Sequence, residues 1–151
     1  PWGRTAAEVW DKLPGWGTGE RKKAEIAEAK RIIEQRGWKG LEVTILSRGD
    51  VASQARENEF WATSIRDIGL KPRSIYAELA AFWAMLDDAN FQMARVASCQ
   101  VLGDPDEPFS TSLLEGAPRQ KWIAYVQPEL EKRFLAMSRE PDPVKRKALF
   151  R

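Results

Sequence analysis

Few side chains of this 151-residue sequence could carry out catalysis, because it contains no histidine and a single cysteine, Cys99. The lack of imidazole excludes His-ligated zinc and a Ser–His–Asp triad, and one cysteine excludes an internal disulfide. Arg95 is the nearest cation to Cys99 in sequence, so a buried, unreactive thiol is favoured over a nucleophile. No spacing of carboxylates singles out an acid–base pair. The residues that could bind a ligand are therefore the main candidates.

Arg48 is the first of these candidates. It directly follows the alternating segment LEVTILS, residues 41–47, which predicts a strand over 41–46. Ligands bind at the carboxyl ends of strands in open α/β sheets, and a guanidinium offers five rigid donors that suit a carboxylate or a phosphate. The alternative is a surface arginine that pairs with Asp50 or with a glutamate.

A second candidate segment lies at the end of a later predicted strand, residues 91–99. Its polar residues Ser98 and Gln100 are followed by the apolar Val101, shortly before a turn at Gly103. Two interpretations stay open for this segment. It is either a strip that contacts a ligand or a plain strand-to-loop transition, and the residues by themselves favour the transition.

The acidic segment Asp104–Glu107 could be taken for part of a calcium loop, since alternate carboxylates can converge on one hard cation. It lacks the central glycine and the terminal glutamate of an EF-hand loop. An Asp-Pro turn that caps the next helix explains it better. The sequence therefore predicts no metal site and no cofactor.

These candidates need a sheet to hold them, and hydrophobic periodicity predicts one. Segments with apolar residues three and four apart alternate with short extended segments, which is typical of a largely parallel sheet flanked by helices, with right-handed crossovers. Asp142 is predicted to cap the last helix, and residues 103–108 to break regular structure. The predicted helices cover residues 5–13, 20–36, 53–68, 79–86, 128–137 and 143–151, and the predicted strands cover 41–46, 70–76 and 91–99.

Seven tryptophans are many for a chain of this length. Trp10, Trp61 and Trp83 lie on helical patterns and are predicted to be core residues. The other four lie in predicted loops, where a large aromatic side chain packs against a neighbouring domain or walls a ligand cleft. In an isolated piece, such loops would pair two copies of the chain. These loop residues are Trp2, Trp16, Trp38 and Trp122.

Charge and hydropathy exclude further classes of protein. With 24 basic and 22 acidic residues the net charge is +2, which argues against a nucleic-acid-binding domain, and the interleaved charges of residues 20–39 predict a solvated helix face. No apolar run approaches the ~20 residues that a bilayer span needs. The chain begins without Met and stops within a helical pattern, so we expect an excised piece: one ligand-binding lobe over residues 1–151, with an irregular lead-in over 1–19.

Five segments of the sequence, taken in order, are informative together. They are AEIAEAKRIIEQRGWKGLEVTILSR, FWATSIRDIGLKP, LGDPDEPFSTSL, AYVQPELEKRF and REPDPVKRKALFR. They resemble extracellular solute-binding proteins of family 5, the peptide- and nickel-binding components of ABC importers. The first is similar to the family's "A-K-x-L-L-x-E-A-G-(Y/W)" helix and following strand, the second to its "L-K-x-I-G-I-x-V" helix and strand, and the third to its "D-P-D-x-F" turn. The last two match its "G-Y-x-N-P-E-(L/V)-(D/E)" and "D-P-x-K-R-x-x-L" helices.

The resemblance implies most of the C-terminal lobe of a two-lobed, class II periplasmic-binding-protein-like fold. In this family a peptide-like or other small solute is held between the lobes and handed to a membrane permease, without catalysis and without a cofactor. The implied location is periplasmic or extracellular, either free or lipid-anchored. Two other classes remain as alternatives: a stand-alone protein-interaction domain, and a His-free hydrolase.

For individual residues, the resemblance implies that Arg48 can meet a peptide carboxylate. Because Arg48 and the strip formed by Ser98, Gln100 and Val101 both lie at carboxyl ends of predicted strands, we expect Arg48 to donate to an anionic or carbonyl group of the ligand beside that strip. Peptide binders of the family often carry an aspartate four residues before the proline of the D-P turn, where it pairs with the peptide's free amine. Counting back from Pro105 gives Val101. This departure favours a blocked or modified peptide, an amino-acid conjugate, a sugar or another solute over a free peptide.

Overall fold

The computed structural model describes residues 3–97, 104–124 and 126–150. The chain divides into two compact units, which we call the sheet unit (Ala7–Ala97) and the helical unit (Pro1–Ala6 with Ser98–Arg151). In the described part, no helix is both long and apolar enough to cross a membrane.

The sheet unit alternates helices with strands, as predicted. The strands are β1 (Glu42–Arg48), β2 (Lys71–Ala77) and β3 (Met93–Ala94), and the helices are α2 (Gly19–Gln35), α3 (Ala52–Asp67) and α4 (Leu79–Asp87). α1 (Ala6–Lys12) precedes them and confirms the short helix predicted within the lead-in. Gly37 and Gly69 follow α2 and α3 with φ of 68° and 96°, a conformation that glycine adopts readily and that ends a helix.

The three strands form one parallel sheet in the order β2-β1-β3, which confirms the predicted architecture. β2 lies at an edge, the place expected for a strand that contains Pro72. β1 lies in the centre, and its four residues Thr44–Ser47 are all buried. Both faces of this central strand are therefore covered.

β3 is shorter than the predicted strand 91–99, whose last two residues lie outside the described part. The Gln92 side chain accepts a hydrogen bond from the Thr44 N–H at 2.8 Å. This N–H is therefore not available to a backbone carbonyl of the predicted strand residues before Met93. Backbone pairing is continued by Arg95, whose N–H donates to Leu46 O. No strand is formed over residues 95–97.

Helices cover both faces of the sheet. On one face, Ile45 packs with Ala62 and Ile65 of α3. Leu46 points to the opposite face, since side chains alternate along a strand, and it is fully buried. α4 contacts β1 and β2 and supplies the buried side chains Phe82 and Leu86.

α2 is a solvated helix, as its interleaved charges predicted, and Ile33 is its buried residue. Arg21 is nevertheless more than a surface cation, because its guanidinium donates to Trp10 O at 2.7 Å and to Leu13 O at 3.2 Å while pairing with Glu25. Burial alone would raise the pKa of Glu25. The hydrogen bonds that its carboxylate accepts from the Gly15 N–H, from Arg21 and from the Gly17 N–H lower this pKa. The first turns of α2 thus anchor the α1–α2 connection.

The prediction that Trp10 and Trp61 are core residues is wrong. Their exposed fractions are 54% and 45%, because the periodicity of a helix shows its apolar side and not what lies against it, while Trp83 is half-buried. The loop residues Trp16 and Trp38 are exposed, at 56% and 45%, and Trp38 lies under the Arg36 guanidinium. Trp122 is half-buried beneath Arg119, and Trp2 lies outside the described residues.

The helical unit contains α5 (Asp106–Ser112), α6 (Gln120–Ile123), α7 (Pro128–Arg139) and α8 (Pro143–Phe150). Phe109 stacks on the buried Phe134, with ring centroids 4.9 Å apart. Asp142 accepts hydrogen bonds from Val144 N and Lys145 N, which confirms the predicted cap of α8.

Candidate functional site

Arg48 is the last residue of β1, so it lies at the carboxyl end of the central strand, as predicted. Its side chain is partly covered, with 26% of its surface exposed. It points away from α3, because the neighbouring Ser47 faces Asn58 of that helix. The location is the one where parallel α/β sheets present ligand-binding groups.

The turn after Arg48 is pressed against β2. The Gly49 N–H donates to Ala77 O at 3.0 Å, which continues the β1–β2 ladder by one bond. A Cβ at position 49 would lie 3.1 Å from Tyr76 Cβ, tighter than ordinary packing. Glycine is therefore the residue that allows this close approach. This turn fixes the backbone position of Asp50 relative to Arg48.

Arg48 and Asp50 form a two-contact ion pair. Arg48 Nε donates to Asp50 Oδ1 at 2.9 Å, and Nη2 donates to Oδ2. These two hydrogen bonds lower the pKa of the Asp50 carboxyl and raise the pKa of the Arg48 guanidinium. The negative charge of Glu78 also raises the pKa of Arg48. The pairing that the sequence offered as the alternative for Arg48 is thus present in the structure.

This pair gives a first testable expectation. We expect Arg48→Ala to raise the pKa of Asp50 toward the ordinary aspartate value, because the hydrogen bonds that favour the charged carboxylate are lost. A group whose folded pKa is lowered stabilises the fold above its unfolded-state pKa, and this contribution is lost as the pH falls through the folded pKa. A carbon-detected NMR titration of the Asp50 carboxyl in both proteins measures the shift. Lys39→Ala, on a distant exposed pair, is the control, and identical Asp50 titrations in native chain and Arg48→Ala would refute the expectation.

A polar network lies beneath the strand ends, on the α3 side of the sheet. Asn58 is fully buried; its Nδ2 donates to Ile45 O at 3.1 Å and to Ser47 Oγ at 2.9 Å, and its Oδ1 accepts from Ser74 Oγ at 2.6 Å. Asn58 therefore joins β1 to β2 immediately before Arg48. Sequence reasoning missed Asn58, since a polar residue in a helix is ordinarily solvated.

Two further residues of α3 reach the same end of the sheet. Glu57 pairs with Arg95, just after β3, at 2.7 Å, and Glu59 accepts a hydrogen bond from the hydroxyl of Tyr76 in β2. Burial and the Glu59 carboxylate raise the pKa of Tyr76. The first half of α3 thus contacts the carboxyl ends of all three strands.

Ser98, Gln100 and Val101, which were predicted to lie beside Arg48, are outside the described residues, as is Cys99. Their role stays a prediction.

The acidic segment forms a turn that leads into α5. Asp104 Oδ1 accepts the Asp106 N–H at 3.0 Å, so the predicted irregular stretch ends at Asp106, where α5 begins. Arg146 of α8 pairs with both carboxylates, at 2.8 Å and 2.9 Å. Across residues 3–97, 104–124 and 126–150, no group of three or more Cys, Asp and Glu side chains is arranged to hold a metal ion.

A groove of about 540 Å³ lies between α2 and α3 and was not predicted. Ile26 and Ala29 line one side, Trp61 and Ile65 the other, and Met93 also borders it. Arg48 is not among its lining residues. The open groove explains why Trp61 is exposed although its helical periodicity suggested a core position.

Comparison with known proteins gives a match in fold rather than in sequence. No model of a protein family matches the chain, and no curated protein does. OppA of Burkholderia pseudomallei matches with a TM-score of 0.76 and 19% identity, over 91% of this chain and 27% of that chain. The ABC-transporter substrate-binding protein CtaP of Listeria monocytogenes matches with a TM-score of 0.76 and 18% identity, over 93% and 28%.

A third match is the periplasmic binding protein DppA of Helicobacter pylori in complex with the peptide STSA. Its TM-score is 0.68 and its identity 20%, over 82% of this chain and 25% of that chain. The chain therefore spans about a quarter of the length of these structures.

These matches confirm, at the level of the fold, the resemblance to family 5 solute-binding proteins and the predicted lobe of a periplasmic-binding-protein fold. Two of the matched proteins are described as binding proteins.

Proposed function

We propose that this chain is a ligand-binding lobe of a solute-binding protein that serves an ABC importer. It would bind a peptide-like or other small solute against a second lobe and deliver it to a membrane permease, without catalysis and without a cofactor. The fold shared with such proteins supports this role, and the observation that carries it is the half-buried Arg48 at the carboxyl end of the central parallel strand.

Arg48 would donate to an anionic or carbonyl oxygen of the solute, and Ser98, Gln100 and Val101 would form the neighbouring wall. The proposed location is the periplasm or the cell exterior, either free or lipid-anchored, because DppA is a periplasmic binding protein. Val101 replaces the aspartate that the resemblance leads one to expect, so a solute with a blocked amine is favoured.

The test is the affinity of the longest natural chain that contains these residues for the peptide STSA and for its N-acetylated form. We expect the acetylated peptide to bind more tightly, and Arg48→Ala to weaken its binding at least about tenfold, because a charge-assisted hydrogen bond within a closed cleft is lost. Calorimetry gives both dissociation constants.

Arg31→Ala is the matched control for Arg48→Ala. Arg31 makes the same kind of two-contact pair with Glu28, but both side chains are 53% exposed on a solvated helix, so its removal should leave the affinity unchanged. Arg21 is unsuitable as this control because it anchors the α1–α2 connection. Equal affinities of the native chain and Arg48→Ala would refute the site.

A second candidate function is protein–protein interaction. The observation that favours it is the exposure of Trp16 and Trp38, two large aromatic side chains in loops. If these loops pair two copies, sedimentation velocity should show a concentration-dependent dimer that Trp16→Ser weakens. A monomer at all concentrations would exclude the pairing of two copies through these loops.

A further inference from the structure

The guanidinium of Arg48 already holds a carboxylate, that of Asp50 two residues later. Nε and Nη2 make the two parallel contacts that an arginine uses to bind a ligand carboxylate. The side chains are 26% and 28% exposed, so the pair is neither fully hydrated nor sealed from a ligand. A ligand carboxylate would have to displace Asp50 to obtain the same geometry.

Displacement is opposed by the turn itself. The hydrogen bond from Gly49 N to Ala77 O and the close approach of Gly49 to Tyr76 fix the backbone between the two partners. Asp50 is therefore delivered to Arg48 with little further loss of side-chain freedom, whereas a free ligand would have to be ordered on binding.

The local charge acts in the same direction. Arg48 is under the influence of two carboxylates, Asp50 and Glu78, so one positive charge faces two negative ones. A ligand carboxylate would add a third negative charge, and like charges brought together at an interface oppose binding. A neutral oxygen adds none.

We propose that Asp50 is a specificity-determining residue that closes Arg48 to ligand carboxylates and leaves it open to neutral acceptors. The three remaining N–H donors, two on Nη1 and one on Nη2, make no hydrogen bond within the described part of the chain and are the ones that a ligand amide, ester or hydroxyl oxygen would engage. The proposal rests on the proposed function, in which Arg48 contacts the solute, and it narrows that solute to one that presents an uncharged oxygen here.

The experiment compares acetate with acetamide, its neutral analogue, as probes of the native chain and of Asp50→Asn. The probes are titrated at constant ionic strength while the Arg48 Nε–H cross-peak is followed by NMR. We expect acetate to shift this cross-peak at least about threefold more in Asp50→Asn than in the native chain, because the resident carboxylate is replaced by a neutral amide. Acetamide should act equally on both, and an unchanged Gly49 amide cross-peak shows that the turn is intact.

Glu28→Gln supplies the matched control, since it frees Arg31 of an equivalent pair on an exposed helix. Acetate should shift the Arg31 cross-peak in that variant less than it shifts Arg48 in Asp50→Asn. Equal acetate responses of the native chain and Asp50→Asn overturn the proposal, as does an Arg31 response as large as that of Arg48. Because acetate replaces the solute, this outcome is separate from the Arg48→Ala affinity test of the proposed function.

Discussion

Phe82→Ala is expected to lower the free energy of unfolding of the sheet unit by about 3–5 kcal/mol, the range for truncating a buried phenylalanine. Phe82 is 1% exposed, and it lies on α4, the helix that contacts β1 and β2. Its removal leaves a cavity between this helix and the sheet that the rest of the core fills only in part. Urea denaturation followed by the amide signals of β1 and β2 measures the change.

The matched control is Phe60→Ala, because Phe60 is the same residue type on α3 with 66% of its surface exposed. This change should alter stability by no more than about 0.5 kcal/mol, the usual range for surface substitutions. If both variants lose the same stability, α4 is not the helix that closes this side of the core.

The periodic elements of the sheet unit could be predicted from sequence because their signals are local. α2 and α3 show apolar residues three and four apart and end at glycines with positive φ, and the strand between them, β1, is short and rich in branched residues. Parallel pairing follows from the helices that connect the strands. The carboxyl-end position of Arg48 was predictable on the same grounds.

Features that depend on distant partners could not be predicted. Thr44 and Ser47 are polar residues of β1, yet both are buried, and Ser47 is satisfied by Asn58, eleven residues later on α3. Trp61 has the periodicity of a core residue, but whether it is covered depends on how closely α2 approaches α3. Periodicity shows which side of a helix is apolar and not what lies against it.

The candidate site was predictable only in outline. Asp50 was recognised as a partner for Arg48 because the two are close in sequence. Their geometry depends on Gly49, whose role appears only when its close approach to Tyr76 in β2 is known. The residues that govern what Arg48 can bind are therefore set by tertiary contacts.

Asn58→Ala is expected to lower the free energy of unfolding of the sheet unit by roughly 3 kcal/mol, since two buried hydrogen bonds and one partly buried one are lost at about 1 kcal/mol each. The loss also leaves the fully buried hydroxyl of Ser47 without its amide partner, which penalises the folded state further. Ser74→Ala removes one of the three bonds and should have about a third of the effect.

The control for Asn58→Ala is Ser64→Ala, on the same helix. Ser64 Oγ donates only to Phe60 O, a carbonyl of its own helix, so we expect a change within about 0.5 kcal/mol. Hydrogen exchange at the β1 and β2 amides provides a second readout, because Asn58 joins these two strands from the α3 face of the sheet. Faster exchange in Asn58→Ala at both strands, with native exchange in Ser64→Ala, would show that α3 holds the two strand ends together beneath Arg48. Unchanged exchange at both strands would show instead that the ladder bonds alone fix the position of Arg48.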